Sequence, residues 1–252
     1  KRVGQEVRKI MLNTTFPKDL AKVIIQSYKE LIIKYGSKIT LAVRSSATAE
    51  DLPGASFAGQ KETYLHIKGE RELIESCKKC YASLFTDRAI KYRYDNHFDQ
   101  MKVALSIGVQ LMVRSDKASS GVIFTLDPDS GFRNVVIVTG AWGLGENVVQ
   151  GTVNVDEFCI FKPALENKAA QPIIYRKLGS KEKMMIYAPD RKSKKQVAST
   201  QNLATPFIKR NKFIISDKEA ETLARWALII EKYYKRPMDI EWAKDGLTGN
   251  LF

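Results

Sequence analysis

The chain has 252 residues, of which 44% are hydrophobic, 10% aromatic and 27% charged, and this composition excludes a largely disordered protein. It contains no run of about 18 uncharged apolar residues and only three cysteines, which excludes a membrane span and a disulfide framework, so we expect a soluble, cytoplasmic protein. The formal net charge of +13 is compatible with nucleic-acid binding, but the densest basic run, residues 176–195, has few interleaved aromatic side chains, so the charge alone does not favour it.

Residues 1–100 have the patterns of helices and short strands. Apolar residues at helical spacing predict a helix from Pro17 to Tyr35, and the segment from Glu70 to about His97 predicts one or two more. The predicted strands are Ile39–Val43 and Thr63–Ile67. Residues 48–60, between these strands, are small, polar and glycine-bearing, which predicts a loop long enough to carry function.

After residue 100 the chain changes to short β-rich runs separated by Asp, Pro, Gly and Asn, which predicts a second lobe, residues 101–252. The predicted strands are Val103–Met112, Ser120–Leu126, Val135–Thr139, Phe158–Phe161, Ile173–Tyr175 and Met238–Ala243. Residues 179–212 show no clear pattern. A capping box at Ser216–Glu219 begins a helix, and a turn at Lys244–Gly246 follows the last strand. The residues that this helix is predicted to bury are Leu223, Trp226, Ala227, Ile230 and Tyr233.

Arg44, Ser45 and Ser46 follow the first predicted strand and precede the glycine-bearing loop. A guanidinium group offers a fixed fork of donors that matches phosphate oxygens, and backbone N–H groups of small residues can approach a polyphosphate closely. The pattern therefore predicts a phosphate site. Taken alone, an arginine and a serine at a strand end are more often structural, so both interpretations stay open.

Asp239 and Glu241 are two residues apart in a predicted strand, so they share one face, with Ile240 and Trp242 on the other. Two neighbouring carboxylates repel each other unless a cation neutralises them. Mg²⁺ binds through one or two carboxylates while substrate phosphates and water complete its coordination. The pattern predicts a magnesium site, although an edge strand with acids facing solvent fits it equally well.

Two further segments could contact a nucleotide. The run Gly143-Leu144-Gly145 lacks the third glycine and the helix of a dinucleotide fingerprint, but as a turn it can place Glu146 near a metal or a phosphate. The segment Gln110-Leu111-Met112-Val113 ends an apolar strand, and such a hinge can present backbone groups to the edge of a purine, with Met112 against the ring. A methionine in a strand is more often part of the core.

The cysteines and histidines give no comparable prediction. Cys77 and Cys80 have metal or redox spacing, but they lie in a helical stretch without a second pair, so we interpret them as structural. His66 and His97 have no serine, cysteine or acidic partner at a recognisable spacing, and we assign neither to catalysis.

Five segments in order and at family spacing resemble a known family: Val43–Leu65, Ser83–Arg93, Gly108–Phe132, Ala141–Phe158 and Arg236–Gly246. They resemble the N-terminal nucleotide-binding domain of the phosphoenolpyruvate synthase (pyruvate, water dikinase) family, which is shared with pyruvate phosphate dikinase. The resemblance covers most of residues 40–162 and 216–252. It implies an α+β, ATP-grasp fold with two lobes of mixed or antiparallel sheet and helices.

The resemblance also implies the cofactors ATP and Mg²⁺ and a role for each matching residue. The implied ATP-binding residues are Arg44, Ser45, Gly54, Ser56, Gly59, Gln110, Met112, Val113, Glu146, Asp239 and Glu241. Arg44 is implied to be catalytic through its contact with the phosphates, and residues 50–60 to cover them. Residues 110–113 are the implied adenine hinge, and Asp239 and Glu241 the implied magnesium ligands.

Members of this family use ATP to phosphorylate a histidine of a separate domain, and the phosphohistidine then phosphorylates pyruvate, giving phosphoenolpyruvate, AMP and phosphate. The resemblance therefore implies, as partners, the phosphohistidine and pyruvate-binding domains of the same full-length protein, and no membrane. The family's N-terminal lysine segment and C-terminal Gln-x-Arg-Pro run are missing, Val155 replaces a usual proline, and Tyr234-Lys235 replaces His-Gly. We expect a fragment truncated at both ends that does not complete the reaction alone.

Three questions stay open at this stage. A rifampin phosphotransferase has the same nucleotide domain and histidine relay but phosphorylates an antibiotic. A non-catalytic nucleotide- or nucleic-acid-binding module is the alternative from another class. The oligomeric state of the full-length protein, for which a homodimer is one option, does not follow from the sequence.

Overall fold

The computed structural model describes residues 1–37, 39–47, 51–52, 55–56, 62–167, 171–188 and 200–252, with the backbone alone at 47, 51–52, 55–56 and 166. The chain forms two compact units, residues 1–112 and 113–252, each with its own hydrophobic core. The predicted boundary between two lobes after residue 100 stays a prediction. It would assign the strand Leu105–Leu111 to the second lobe, whereas this strand pairs with Leu41–Ala47 of the first compact unit.

The first unit combines four helices and five strands among the described residues. They are α1 (Arg2–Asn13), α2 (Lys18–Tyr35), β1 (Leu41–Ala47), β2 (Asp51–Leu52), β3 (Ala55–Ser56), β4 (Thr63–Ile67), α3 (Gly69–Ser83), α4 (Asp87–Asp95) and β5 (Leu105–Leu111). The sheet is antiparallel, in the order β4-β1-β5, and β2 pairs with β3. Side chains of β1, α2 and α3 form the core, including Leu41, Val43, Tyr28 and Leu73.

Two features of this unit differ from the sequence prediction. The first strand begins at Leu41 rather than Ile39 and continues through Ala47, because β5 pairs with it residue by residue as far as Ala47 and Leu105. Arg44 therefore lies within the strand and not after it. Helix α1 was not predicted, although Val3, Val7, Ile10 and Met11 fall at helical spacing, and its only buried residue is Gly4.

The second unit is built around a five-stranded antiparallel sheet in the order β12-β6-β7-β8-β9. A short 3₁₀ turn, Ser115–Lys117, precedes β6. The other elements are β6 (Ser119–Phe124), β7 (Val135–Trp142), α5 (Glu146–Val149), β8 (Asp156–Phe161), α6 (Lys162–Glu166), β9 (Ile173–Lys177), β10 (Lys183–Tyr187), β11 (Thr200–Ala204), α7 (Phe207–Arg210), α8 (Asp217–Tyr234) and β12 (Asp239–Ala243). The predicted α+β class with antiparallel sheets is confirmed. The separate β10–β11 pair lies in the stretch where the sequence showed no pattern.

Helix α8 covers one face of the large sheet. The predicted capping box is confirmed, because the Ser216 side chain accepts from the Glu219 N–H and the Glu219 side chain accepts from the Ser216 N–H. The buried residues of the helix are Ala220, Leu223, Ala224 and Ala227, which follow one helical stripe. The small alanine side chains let the helix approach the sheet closely. Predicted burial was wrong for Trp226 and Tyr233, which are 41% and 79% exposed on the other side of α8.

The longest helices of the described residues, α2 and α8, carry charged side chains along one face. No helix in the described ranges is both long enough and apolar enough to cross a membrane.

Candidate functional site

Strand β1 presents Arg44 to solvent by simple alternation. Val43 and Ser45 are buried, whereas Arg44 is exposed. Its neighbours across the sheet are Gly108 on β5 and Thr63 on β4, two small residues that leave the guanidinium uncovered. An exposed arginine fork above small neighbours is available to a phosphate.

Ser45 faces the opposite way. Its hydroxyl is buried and accepts a hydrogen bond from the Glu62 backbone N–H at 3.2 Å, and its backbone N–H donates to the Glu62 carbonyl at 3.2 Å. These bonds continue the contact between β1 and the segment before β4. Ser45 can reach a nucleotide only if its hydroxyl leaves Glu62, so its predicted ATP contact stays a prediction.

The loop predicted to cover the phosphates, residues 50–60, is only partly described. Gly54 and Gly59 lie outside the described residues. Ser56 belongs to β3, where it pairs with Asp51, and Leu52 pairs with Ala55. The backbone of residues 51–52 and 55–56 thus forms a minimal antiparallel pair within the predicted loop.

The predicted adenine hinge, residues 110–113, consists of the last two residues of β5 and the two residues that follow. Gln110 is exposed and pairs with Ala42, and the Met112 backbone N–H donates to the Thr40 carbonyl at 2.8 Å, which extends the β1–β5 pairing by one step. Val113 begins the second unit. Because the Met112 N–H is already used, a purine contact at the hinge falls to the neighbouring backbone groups.

The glycine turn before α5 holds Glu146 at the surface. The Gly143 carbonyl accepts from the Ser120 hydroxyl at 2.7 Å, and the Leu144 N–H donates to the Met185 carbonyl at 2.9 Å. Glu146 is exposed, and its carboxylate accepts from the Gln150 side chain at 3.1 Å. The turn is therefore fixed by β6 and β10, while its acidic side chain stays accessible.

The carboxylates of Asp239 and Glu241 lie where the sequence predicted them. Both are exposed on one face of β12, while Trp242 is buried on the other. Among the described residues, neither carboxylate has an ion pair, and no group of three or more His, Cys, Asp or Glu is placed to hold a metal. Two free carboxylates fit Mg²⁺, which takes its remaining ligands from phosphate and water.

The cluster around Arg114 was not predicted from the sequence. The Arg114 guanidinium donates to both oxygens of Asp116, each at 2.8 Å, and lies 5.6 Å from the centre of the Tyr187 ring. The hydrogen bond to Asp116 raises the pKa of Arg114, and burial raises the pKa of Tyr187. The Arg114 backbone N–H donates to Asp245, which lies 131 residues later. The turn that contains Asp245 was predicted from the sequence. Its hydrogen bond to Arg114 was not, because the two residues are far apart in sequence.

A second cluster that sequence reasoning missed is fully buried. The Asp156 carboxylate pairs with the Lys181 ammonium group and accepts from the backbone N–H groups of Gly179 at 2.8 Å and Ile214 at 2.9 Å. Lys181 also donates to the Gly179 carbonyl at 2.9 Å. The cluster joins β8 to the segment that leads into β10 and to the segment before α8.

Cys77 and Cys80 both belong to the core of the first unit. Burial raises the pKa of Cys77 to about 11 and that of Cys80 to about 12, so both thiols are neutral at physiological pH. This is the behaviour of packing residues, as interpreted from the sequence.

Comparison with known proteins identifies the family to which this chain belongs. Residues 1–252 match the family described as "Pyruvate phosphate dikinase, AMP/ATP-binding domain". The phosphoenolpyruvate synthase of Helicobacter pylori is 53% identical over 256 residues, covering 99% of this chain. The phosphoenolpyruvate synthases of Neisseria meningitidis serogroup B and Synechocystis sp. are 52% and 51% identical over 253 and 260 residues, covering 100% and 99% of this chain. The chain spans 31% of the length of each of these relatives.

Proposed function

Because the chain belongs to the family of pyruvate phosphate dikinase AMP/ATP-binding domains, we propose that it binds Mg-ATP for a phosphoenolpyruvate synthase. Membership in the family confirms the resemblance predicted from the five sequence segments. The observation that carries the proposal is the similarity along the whole chain, 53% identity with one synthase. The named relatives are synthases, which favours this function over the antibiotic kinase and over a nucleic-acid-binding module.

The proposed reaction of the complete protein converts ATP, pyruvate and water into phosphoenolpyruvate, AMP and phosphate. This chain would supply the ATP site, and the phosphohistidine and the pyruvate site would lie in other domains. The chain's share of its relatives' length, 31%, supports this division of labour. We propose a cytoplasmic location, as expected for a metabolic enzyme of this type.

The residues proposed to contact ATP are Arg44, Ser45, Gly54, Ser56, Gly59, Gln110, Met112, Val113, Glu146, Asp239 and Glu241. Arg44 would donate to the phosphate oxygens and stabilise negative charge on the phosphoryl group during transfer. Asp239 and Glu241 would hold Mg²⁺, which neutralises phosphate charge when bound. The exposure of these three charged side chains and their freedom from ion pairs with described residues support these roles.

The experiment that tests this function is a product assay on the complete protein with Arg44→Ala. We expect phosphoenolpyruvate, AMP and phosphate in equal amounts from the unaltered protein. Loss of the Arg44 guanidinium should lower kcat by about 10²- to 10³-fold, the usual effect of removing a charge-stabilising donor. Arg71→Ala, which removes another exposed arginine, from α3, is the matched control and should leave kcat unchanged.

Two results would contradict the proposal. Formation of ADP without phosphoenolpyruvate would exclude the synthase reaction. Equal kcat values for Arg44→Ala and Arg71→Ala would remove Arg44 from the catalytic site while leaving the reaction itself in place.

A further inference from the structure

The second unit contains two turns of the same construction. Each begins with an aspartate and has, four residues later, a glycine with positive φ: Gly131 (74°) after Asp127 and Gly249 (77°) after Asp245. In both turns the glycine N–H donates to the aspartate carbonyl at 2.8 Å. In both, the aspartate carboxylate also accepts a backbone N–H from within the turn.

The carboxylates of Asp127 and Asp245 differ in the hydrogen bonds that they accept from outside their own turns. Among the described residues, the Asp127 carboxylate accepts only from its own turn, from the Asp129 N–H at 3.0 Å and the Ser130 hydroxyl at 2.5 Å. Asp245 is 9% exposed, and its Oδ1 accepts from the N–H groups of Leu247 and Thr248 at 2.8 and 2.9 Å. Its second oxygen, Oδ2, accepts from the Arg114 N–H at 3.0 Å.

The turn that begins at Asp245 forms two hydrogen bonds with the backbone of Arg114. Besides the bond to Asp245, the Arg114 carbonyl accepts from the Gly246 N–H at 3.1 Å. Both backbone groups of Arg114 are therefore bound by residues that come directly after β12. One step further, the Lys244 N–H donates to the Ser119 carbonyl at 2.9 Å, where β6 begins.

This arrangement joins two segments of the second unit. Arg114 follows Val113, the one residue of the proposed adenine hinge that lies in this unit, and Asp245 follows the strand that carries Asp239 and Glu241. We propose that Asp245 is a positioning residue, which fixes the backbone at Val113 and Arg114 relative to the carboxylate strand and so sets the affinity and selectivity for adenine. The proposal rests on the ATP binding proposed above. It follows because backbone recognition of a purine depends on where the hinge N–H and C=O groups point.

Asp245→Asn tests the long-range bond without removing the turn. The asparagine oxygen can still accept from Leu247 and Thr248, but its amide group would face the Arg114 N–H donor to donor. Asp127→Asn makes the same substitution in the matching turn, where the carboxylate hydrogen-bonds to no distant residue of the described part of the chain. A purely structural role predicts similar effects for the two variants, since both weaken an aspartate-capped turn.

The measurement is titration calorimetry of the complete protein with Mg-ATP and Mg-GTP, together with kcat and KM. For Asp245→Asn we expect ATP binding at least about fivefold weaker, a smaller preference for ATP over GTP, and a KM that rises more than kcat falls. Hydrogen exchange of the Arg114 amide should quicken while that of Leu247 stays slow. Asp127→Asn should keep the affinity, the preference and the Arg114 protection of the unaltered protein.

The outcomes separate the two proposals. The positioning role is wrong if the unaltered protein binds ATP and the two variants, Asp245→Asn and Asp127→Asn, have the same affinities for ATP and for GTP. The proposed function stands in that case. If the unaltered protein binds no ATP, the function fails and the positioning role with it. Should Asp245→Asn not fold, Asp245→Ser replaces it, because the shorter hydroxyl can cap the turn but cannot reach Arg114, and the same results decide.

Discussion

The ion pair between Asp156 and Lys181 shows how a single buried contact can hold distant segments together. Both side chains are 0% exposed, so each charge has lost its hydration. Asp156 also accepts two backbone N–H groups, from Gly179 and Ile214, which compensates part of this cost. Removing one partner leaves the other charge buried and unpaired.

We predict that Lys181→Met lowers the free energy of unfolding by about 3–5 kcal/mol, the usual effect of breaking a buried pair. Arg176→Met is the control, because Arg176 and Asp217 form an exposed pair in the same unit, 46% and 52% accessible, which contributes at most about 1 kcal/mol. Urea unfolding of both variants measures the difference. Equal midpoints for the two variants would show that the buried pair does not stabilise the fold.

At the scale of elements, β6 and β7 pack so closely that Gly121 has no room for a side chain. A Cβ atom at this position would lie 1.8 Å from the Thr139 carbonyl oxygen, whereas at Gly108 in β5 the nearest atom would be 4.0 Å away. We predict that Gly121→Ala costs about 1–3 kcal/mol or more through displaced backbone, and that Gly108→Ala costs little. Thermal unfolding compares them, and a similar melting temperature for both would contradict the close approach.

The elements predicted correctly are those with a strong local signal. Helices α2 and α8 have apolar residues at helical spacing, and the capping box marks where α8 begins. Helix α1 was missed although Val3, Val7, Ile10 and Met11 follow the helical spacing that could have revealed it. The β10–β11 pair was missed because the residues that join its two strands have no apolar pattern. The burial of α8 was misjudged because the predicted apolar stripe ran through Trp226 and Tyr233, whereas Ala220, Ala224 and Ala227 face the sheet beside Leu223.

In the candidate site, too, the features with a local sequence signal were predicted and the long-range contacts were not. The shared face of Asp239 and Glu241 follows from strand alternation alone and is confirmed by their exposure. The link between Arg114 and Asp245 could not be predicted, because a hydrogen bond between residues 131 positions apart depends on the folded chain. The ATP contacts themselves came from the family resemblance and stay proposals.

At the scale of the whole molecule, the account depends on one property, a nucleotide affinity that requires a cation at β12. The sheet offers a matched control for this claim. Glu241 pairs with Val122, Val122 with Thr139 and Thr139 with Glu157, so Glu157 lies on the same face as Glu241, three strands and about 14 Å away. Glu157→Gln therefore removes the same charge from the same face, outside the proposed metal site.

The most direct measurement is calorimetric titration of the complete protein with ATP, with Mg²⁺ and with EDTA. We predict that EDTA weakens ATP binding by at least about tenfold, since the phosphate charge then lacks its counter-ion. The double variant Asp239→Asn, Glu241→Gln should bind ATP weakly in either condition, and Glu157→Gln should behave as the unaltered protein does. ATP binding that is equally tight without Mg²⁺, or in the double variant, would contradict the proposed site.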